Sequence, residues 1–199
     1  MNARPVLSTV VWGLFALLVL AGCGRSPQTS FYTLTPLVAD ATIPKSTGPS
    51  ITIASVTLPD LVDRPQLVVA DGGTRIAILE GQRWAEPLKS ALPRLLAENI
   101  SRLMNSDRVS AYPQHAAINA DYRLFVDIQR FELSGSTVVV DALWEIRSAK
   151  GVKSLTGRSK AVESIGSTDY EAVVAGYSRA MATLSREITQ SLRSLQTKE

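Results

Sequence analysis

The chain has 199 residues, a length that favours one domain of ordinary size. Hydrophobic residues make up 45% of the sequence and charged residues 20%, which predicts a substantial core and argues against global disorder. The formal net charge is only +3, with 21 basic and 18 acidic residues, so nucleic acid is a poor candidate for the partner.

The N-terminus has the organisation of an export signal. One arginine precedes an uncharged, largely apolar run over residues 6–20, and small residues follow the run. The run is shorter than the ~20 residues of a membrane-spanning helix, although an uncleaved anchor remains the alternative. The sequence Leu20-Ala21-Gly22-Cys23 resembles the lipobox of bacterial lipoproteins. That resemblance implies cleavage before Cys23, diacylglycerol on its thiol and acylation of the new amine.

Cys23 is the only cysteine in the chain, which excludes an intramolecular disulfide. A catalytic thiol is the other functional interpretation, and it is weak because the residue ends an apolar export segment. Two or three acyl chains hold a protein on a membrane almost permanently. Gly24 follows the cysteine, whereas an Asp at that place retains enteric lipoproteins in the inner membrane. By that resemblance we expect an outer-membrane lipoprotein that faces the periplasm.

Three parts are expected along the chain. They are a signal peptide over residues 1–22, a lipidated tether over 23–49 and a folded domain over 50–199. A short strand-like piece, FYTL, lies at 31–34 within the tether. Proline, glycine and polar residues then predict a flexible stretch up to the start of the domain.

The first half of the domain predicts three strands and a helix. The strands are expected over residues 51–56, 67–70 and 75–79, and the last two form a hairpin around the turn Asp71-Gly72-Gly73. Leucines at helical spacing then predict a helix over about 87–104. Pro93 lies inside this helix, so either the helix is kinked or its regular part begins near Leu92.

The second half predicts an antiparallel meander and a long helix. After a short strand near Val109, alternating residues predict three strands between 122 and 164, joined by glycine-containing turns. Thr168 and Glu171 match a capping box at the start of a helix over about 168–195. Its apolar stripe favours packing on a sheet over a coiled-coil seam. The fold class is therefore α+β, with a mixed, largely antiparallel sheet, a C-terminal three-strand meander and two packed helices.

The sequence contains no recognisable catalytic or metal-binding motif. His115 is the only histidine, and it lies in a loop-like segment with no cysteine partner. The GYSRA stretch at 176–180 superficially resembles a nucleophile elbow, but it falls within the predicted helix, where an elbow cannot form. No glycine loop for phosphate follows a strand. We therefore expect a protein without catalytic residues, metal or cofactor, and not an enzyme.

Two connecting segments are unusual for a plain sheet-and-helix domain. Residues 58–68, LPDLVDRPQLV, link two strands, and residues 82–88, QRWAEPL, lead into the first helix. Together with the FYTL piece soon after a lipobox, these segments resemble the PqiC-like lipoproteins (paraquat-inducible protein C) of the ABC-type transport auxiliary lipoprotein family.

The resemblance implies an outer-membrane lipoprotein that docks with a mammalian-cell-entry (MCE) domain protein and its associated inner-membrane transport proteins. Such systems move lipids between the two membranes and maintain the envelope barrier. The family member would act as a receiving collar, in a homo-oligomeric ring, without covalent chemistry. An unrelated envelope-assembly or scaffold lipoprotein is the alternative function, and a tethered hydrolase is disfavoured by the missing nucleophile and base.

Arg64, Gln66 and Trp84 are the candidate partner-binding residues, because they lie in the two unusual segments. The alternative for them is structural. In that case Trp84 would belong to the core, and Arg64 would satisfy carbonyl groups at a strand crossover.

Overall fold

The computed structural model describes residues 28–37, 48–70, 73–114, 118–149, 151, 154–167 and 169–196. Several features expected from the sequence lie outside these residues: the signal peptide with Cys23, residues 38–47 of the flexible stretch, Asp71 and Gly72 of the hairpin turn, the single histidine His115, and Thr168 of the capping box.

The described chain forms eight strands and two helices. Helix α1 is Leu88–Met104 and helix α2 is Tyr170–Gln196. The strands are β1 Ser30–Tyr32, β2 Ile51–Thr57, β3 Gln66–Ala70, β4 Ile76–Trp84, β5 Val109–Ala111, β6 Tyr122–Ser134, β7 Thr137–Ser148 and β8 Ser154–Ser164. They form one mixed sheet that curls into a half-barrel, which confirms the predicted α+β class.

Strand β6 lies at the centre of the sheet. One edge of β6 pairs with β7 in antiparallel fashion along its whole length, and β8 extends this pairing. The other edge pairs in parallel with β2 at the start of β6 and with β3 at its end, where Ala70 faces Ser134. Strand β5 continues the sheet beyond β2, and β4 and β1 continue it beyond β3. The predicted meander is therefore β6–β7–β8, and the predicted hairpin is β3–β4.

Tight turns join the meander strands at glycines with positive φ. Gly135, between β6 and β7, has φ +58°, and Gly151, between β7 and β8, has φ +70°. Residues with a side chain rarely adopt these backbone angles, because their Cβ atom comes too close to the following carbonyl oxygen. Glycine has no Cβ and avoids this clash. Both turns fall where the sequence places them.

The helices cover one face of the sheet, and the core lies between the helices and this face. Alternate residues of β7 point into this layer, and Val138, Ala142 and Ile146 are fully buried there. Helix α2 packs on β7, β8 and α1, as expected for a helix that lies on a sheet. Gly176 permits this approach, because a Cβ at that position would lie 2.9 Å from Ile165 Cγ2.

Helix α1 packs on β2, β5 and α2, and it is continuous from Leu88 through Pro93. Proline lacks the N–H that would bond to the preceding turn, so one helical hydrogen bond is missing within an otherwise regular element. The helix ends at Asn105, whose left-handed backbone (φ 51°) serves as the C-cap.

Residues 28–37 pack on the domain, although they lie in the range expected to form the tether. Strand β1 adds to the edge of β4, and Leu34 is buried in the core. The Leu37 N–H donates to Asn99 Oδ1 on α1 (2.8 Å), and the Thr35 N–H donates to Ser178 Oγ on α2 (3.1 Å). The division of the chain at residue 50 does not anticipate these contacts. Across the described residues, no helix combines the length and hydropathy that a membrane crossing requires.

Candidate functional site

Three chain segments meet where α1 begins. The backbone N–H of Trp84 donates to the Pro65 carbonyl (2.7 Å), and the backbone N–H of Ala85 donates to the Tyr32 carbonyl (2.8 Å). The first bond holds the loop before β3 against the end of β4, and the second holds the residue after β4 against β1. The loops before β3 and after β4 enclose a cavity of about 420 Å³, which is lined by Asp63, Arg64, Pro65, Trp84, Ala85, Glu86 and Pro87. The two unusual sequence segments thus form one concave site.

Trp84 is at once a core residue and a wall of this cavity. Its side chain is buried and packs against Phe131 and Tyr177, with ring centroids 6.2 and 6.0 Å away. Phe131 and Tyr177 stack on each other at 4.1 Å. Burial in this cluster raises the pKa of the Tyr177 hydroxyl. Of these three rings, that of Trp84 lines the cavity, and it packs against the other two.

The two carboxylates of the cavity are already paired with bases from α1. Lys89 forms an ion pair with Asp63, and Arg94 forms one with Glu86. The hydrogen bond to Asp63 raises the pKa of the Lys89 ammonium. Each of the two carboxylates therefore already has a cationic side chain beside it and is not free to bind a second cation.

Arg64 differs from the other ionised residues of the cavity. It is half-buried, and its Nε is buried without a hydrogen-bond partner. Within the described part of the chain, its guanidinium forms neither an ion pair nor a hydrogen bond to a carbonyl. One structural role predicted for Arg64 was to donate hydrogen bonds to carbonyl groups at a strand crossover. Among the described residues, Arg64 makes no such bonds.

Gln66 lies outside this cavity. Its Nε2 donates to Glu80 Oε2 (3.1 Å), and its backbone is in register with Arg83 of β4. The structure thus brings Arg64 and Trp84 to one site and places Gln66 beside it, on the strand. No sequence pattern predicts the Asp63–Lys89 and Glu86–Arg94 pairs, since their spacings match no local helical or strand repeat.

A second, more open cavity of about 650 Å³ lies along β2, β6, β7 and β8. Its walls mix polar and apolar side chains: Ser55, Thr57, Phe125, Val126, Asp127, Leu143, Trp144, Glu145, Thr156 and Gly157. Beside it, the Arg147 guanidinium lies 4.6 Å from the centre of the Phe125 ring. The amphipathic lining suits contact with a partner surface.

The carboxylates of this open cavity are bound by their neighbours. Asp127 accepts hydrogen bonds from Thr57 Oγ1 and Gln129 Nε2, both at 2.6 Å. Glu145 accepts two from Arg147, which lowers the pKa of the Glu145 carboxyl. Among the described residues, no group of three or more metal-ligating side chains comes together.

The GYSRA stretch lies within α2, as predicted. The Ser178 hydroxyl donates to the Val174 carbonyl one turn earlier (3.0 Å) and accepts the Thr35 N–H. The first bond lies within the helix, and the second fixes residues 28–37 against it.

Comparison with known proteins identifies a family that the chain matches. The family model described as ABC-type transport auxiliary lipoprotein component matches residues 32–189. No curated protein matches the chain.

Solved structures share the fold. An uncharacterized protein is similar with a TM-score of 0.69, and protein XCC0632 from Xanthomonas campestris with 0.65. Each is 18% identical, over 83% of this chain and 99% of its own. A PelC dodecamer from Paraburkholderia phytofirmans is 14% identical over 80% of this chain and 95% of its own. Its TM-score of 0.41 is too low to bear on how this chain assembles.

Proposed function

This chain belongs to the family of ABC-type transport auxiliary lipoproteins, and we propose that it is the lipid-anchored accessory subunit of an MCE-type system that moves lipids between the two envelope membranes. The observation that carries the proposal is the family match, which spans residues 32–189 and therefore nearly all of the described fold. The finer assignment to an MCE system follows from the resemblance of the segments around Arg64 and Trp84 to PqiC-like lipoproteins.

The anchor is the first component of this proposal. Cleavage before Cys23 and acylation of its thiol and amine would hold the domain on the outer membrane, facing the periplasm. Mass spectrometry of the mature protein is expected to find an acylated cysteine at the N-terminus. A Cys23→Ser variant is expected to leave the membrane on mild washing. An intact Met1 on the wild-type product would contradict the anchor.

The second component is action by binding rather than by covalent chemistry. In support of it, the carboxylates lining both cavities are held in ion pairs or hydrogen bonds by their neighbours. The surfaces they leave are concave and partly apolar, which suits the capture of another protein. We propose that the domain acts as a receiving collar, in several copies, for a protein that reaches across the periplasm.

The partner is an MCE-domain protein with its associated inner-membrane transport proteins. Chemical crosslinking in native envelopes, followed by capture of the lipoprotein, is expected to recover an MCE-domain protein and further copies of the chain. The Cys23→Ser variant is the control, because loss of the anchor removes the domain from its membrane. Recovery of the chain alone, from envelopes in which the MCE protein is present, would contradict the proposal.

A further inference from the structure

The cavity at the start of α1 has an uncompensated positive charge. Its carboxylates, Asp63 and Glu86, are paired with Lys89 and Arg94, whereas Arg64 has no ionic partner in the described residues. The buried Arg64 Nε also lacks an acceptor. A cation without an ionic partner is unfavourable in a partly buried site, so an anionic acceptor that enters the cavity and reaches the Arg64 guanidinium is bound favourably.

We propose that this cavity receives a carboxylate on an apolar stem, supplied by a glutamate side chain of a protein partner. A guanidinium presents a fork of N–H donors that matches the two oxygens of a carboxylate. The wall beside it consists of Trp84, Pro65 and Pro87, which bury the apolar part of such a group. The volume of about 420 Å³ accommodates one or two side chains, not a whole domain.

The surroundings favour one negative charge over two. Among the described residues that line the cavity, only Arg64 is a cation without an ionic partner, and the flanking Asp63 and Glu86, although compensated, still repel a dianion. The uncapped start of α1 at Pro87 adds a modest positive potential of its own. A carboxylate therefore fits the cavity better than a phosphate monoester.

Two indole N–H groups provide an internal control for a direct test. The chain from residue 23 onward contains two tryptophans: Trp84 in the cavity, and Trp144, whose N–H donates to Ser159 Oγ (3.0 Å). Proton–nitrogen NMR spectra of this chain, carrying Cys23→Ser, are recorded during titration with sodium propionate. The Trp84 indole signal is expected to shift saturably at millimolar concentrations, and the Trp144 signal to stay in place.

Matched ligands and variants identify the cause of the shift. Propionamide, which has the same shape without the charge, is expected to give no saturable shift. Arg64→Gln is expected to abolish the response to propionate, whereas Arg83→Gln, a nearby arginine outside the cavity lining, keeps it. The comparison of propionate with propionamide needs only the wild-type sequence, so it holds even if Arg64→Gln does not fold.

Three results would overturn the proposal. The first is no saturable Trp84 shift in the folded chain, and the second is an equal shift with propionamide or in Arg64→Gln. The third is tighter binding of methyl phosphate than of propionate, which would point to a lipid headgroup instead. None of these results depends on the identity of the transport system, so the carboxylate site and the MCE assignment fail separately.

Discussion

Trp144 and Gly157 show how one missing side chain sets the packing of the meander. The two residues are opposite each other on β7 and β8, and the indole ring covers the glycine. A Cβ at Gly157 would lie 2.2 Å from Trp144 Cζ2, well inside van der Waals contact. The ring is held in place by its hydrogen bond to Ser159, so it has little freedom to move aside.

We predict that Gly157→Ala lowers the free energy of unfolding by about 1–3 kcal/mol, because the methyl group forces the indole out of its position. Gly166→Ala is the matched control. No atom lies within 4 Å of a Cβ built at Gly166, and its φ is not positive, so we expect a change of no more than about 0.5 kcal/mol. Urea denaturation compares the two. Equal stability of both variants would show that the ring can shift at little energetic cost.

Asp141 forms the most buried ion pair of the described sheet. Its side chain is 3% exposed and accepts two hydrogen bonds of 2.8 Å from Arg158, whose side chain is 63% exposed. The bond to Arg158 lowers the pKa of the Asp141 carboxyl below its ordinary value of 3.8. A lowered pKa in the folded state means that the ionised form stabilises the fold.

The pH dependence of stability follows from this sign. The contribution of Asp141 is complete above about pH 4 and is lost as the pH falls through the lowered pKa of the folded state. At pH 7 we expect Asp141→Asn to lower the unfolding free energy by about 1–2 kcal/mol, given the exposure of Arg158. This difference from wild type should shrink as the pH falls below 4. Glu98→Gln serves as the control, because Glu98 forms a more exposed ion pair with Arg102 on helix α1. We expect this substitution to lower the unfolding free energy by about 0.3–0.5 kcal/mol.

Among the elements, α2 is the one on which the sheet depends most. It covers β7 and β8 and contributes buried side chains along its length, among them Met181, Leu184 and Ile188. Each such side chain stabilises the fold by roughly 1.5–3 kcal/mol before its entropy is subtracted. Without α2, this face of the sheet would be apolar and open to water.

Cutting the chain before Thr168 is therefore expected to give an insoluble or molten product, because a large apolar patch becomes exposed. Leu184→Ala is a milder test, with an expected loss of about 2–5 kcal/mol, and the exposed Glu187→Ala on the same helix should change stability by no more than about 0.5 kcal/mol. Near-ultraviolet circular dichroism and melting curves report both. A truncated chain that stays soluble and melts cooperatively would instead assign α2 to assembly or docking.

The sequence predicted where the strands and helices lie better than it predicted which of them pair or pack together. Alternation over residues 122–164 defines the meander, because neighbouring strands joined by short turns can hardly pair otherwise. The parallel pairing of β2 with both β5 and β6 has no such signal, since it joins segments more than 50 residues apart. The contacts of Leu37 with Asn99 were missed for the same reason.

The site was predictable to a similar extent. The unusual composition of two loops singled out Arg64, Gln66 and Trp84, but composition does not determine which side chains share a cavity. That depends on the bulge between Gln66 and Leu67, where the register of β3 on β4 shifts. The register change leaves Gln66 on the strand next to Arg83, while Arg64 and Trp84 line the cavity.

At the scale of the whole molecule, two of the concave surfaces that the described residues form lie apart. One is the cavity at Arg64 and Trp84, next to the start of α1, and the other is the open cavity along β2, β6, β7 and β8. Residues 28–37, which follow the proposed lipid anchor Cys23 in the chain, are fixed to both helices by hydrogen bonds. This arrangement suits the proposed collar, which needs an attachment to the membrane and concave surfaces for its neighbours.

Sedimentation velocity of the purified chain from residue 23 onward, carrying Cys23→Ser, tests the proposed partnership most directly. It is mixed with the soluble periplasmic part of an MCE-domain protein from the same organism, at low and at moderate salt. The proposal predicts a faster-sedimenting complex of discrete stoichiometry at both salt concentrations, with each protein alone as the reference. Two proteins that sediment independently at both salt concentrations would contradict it.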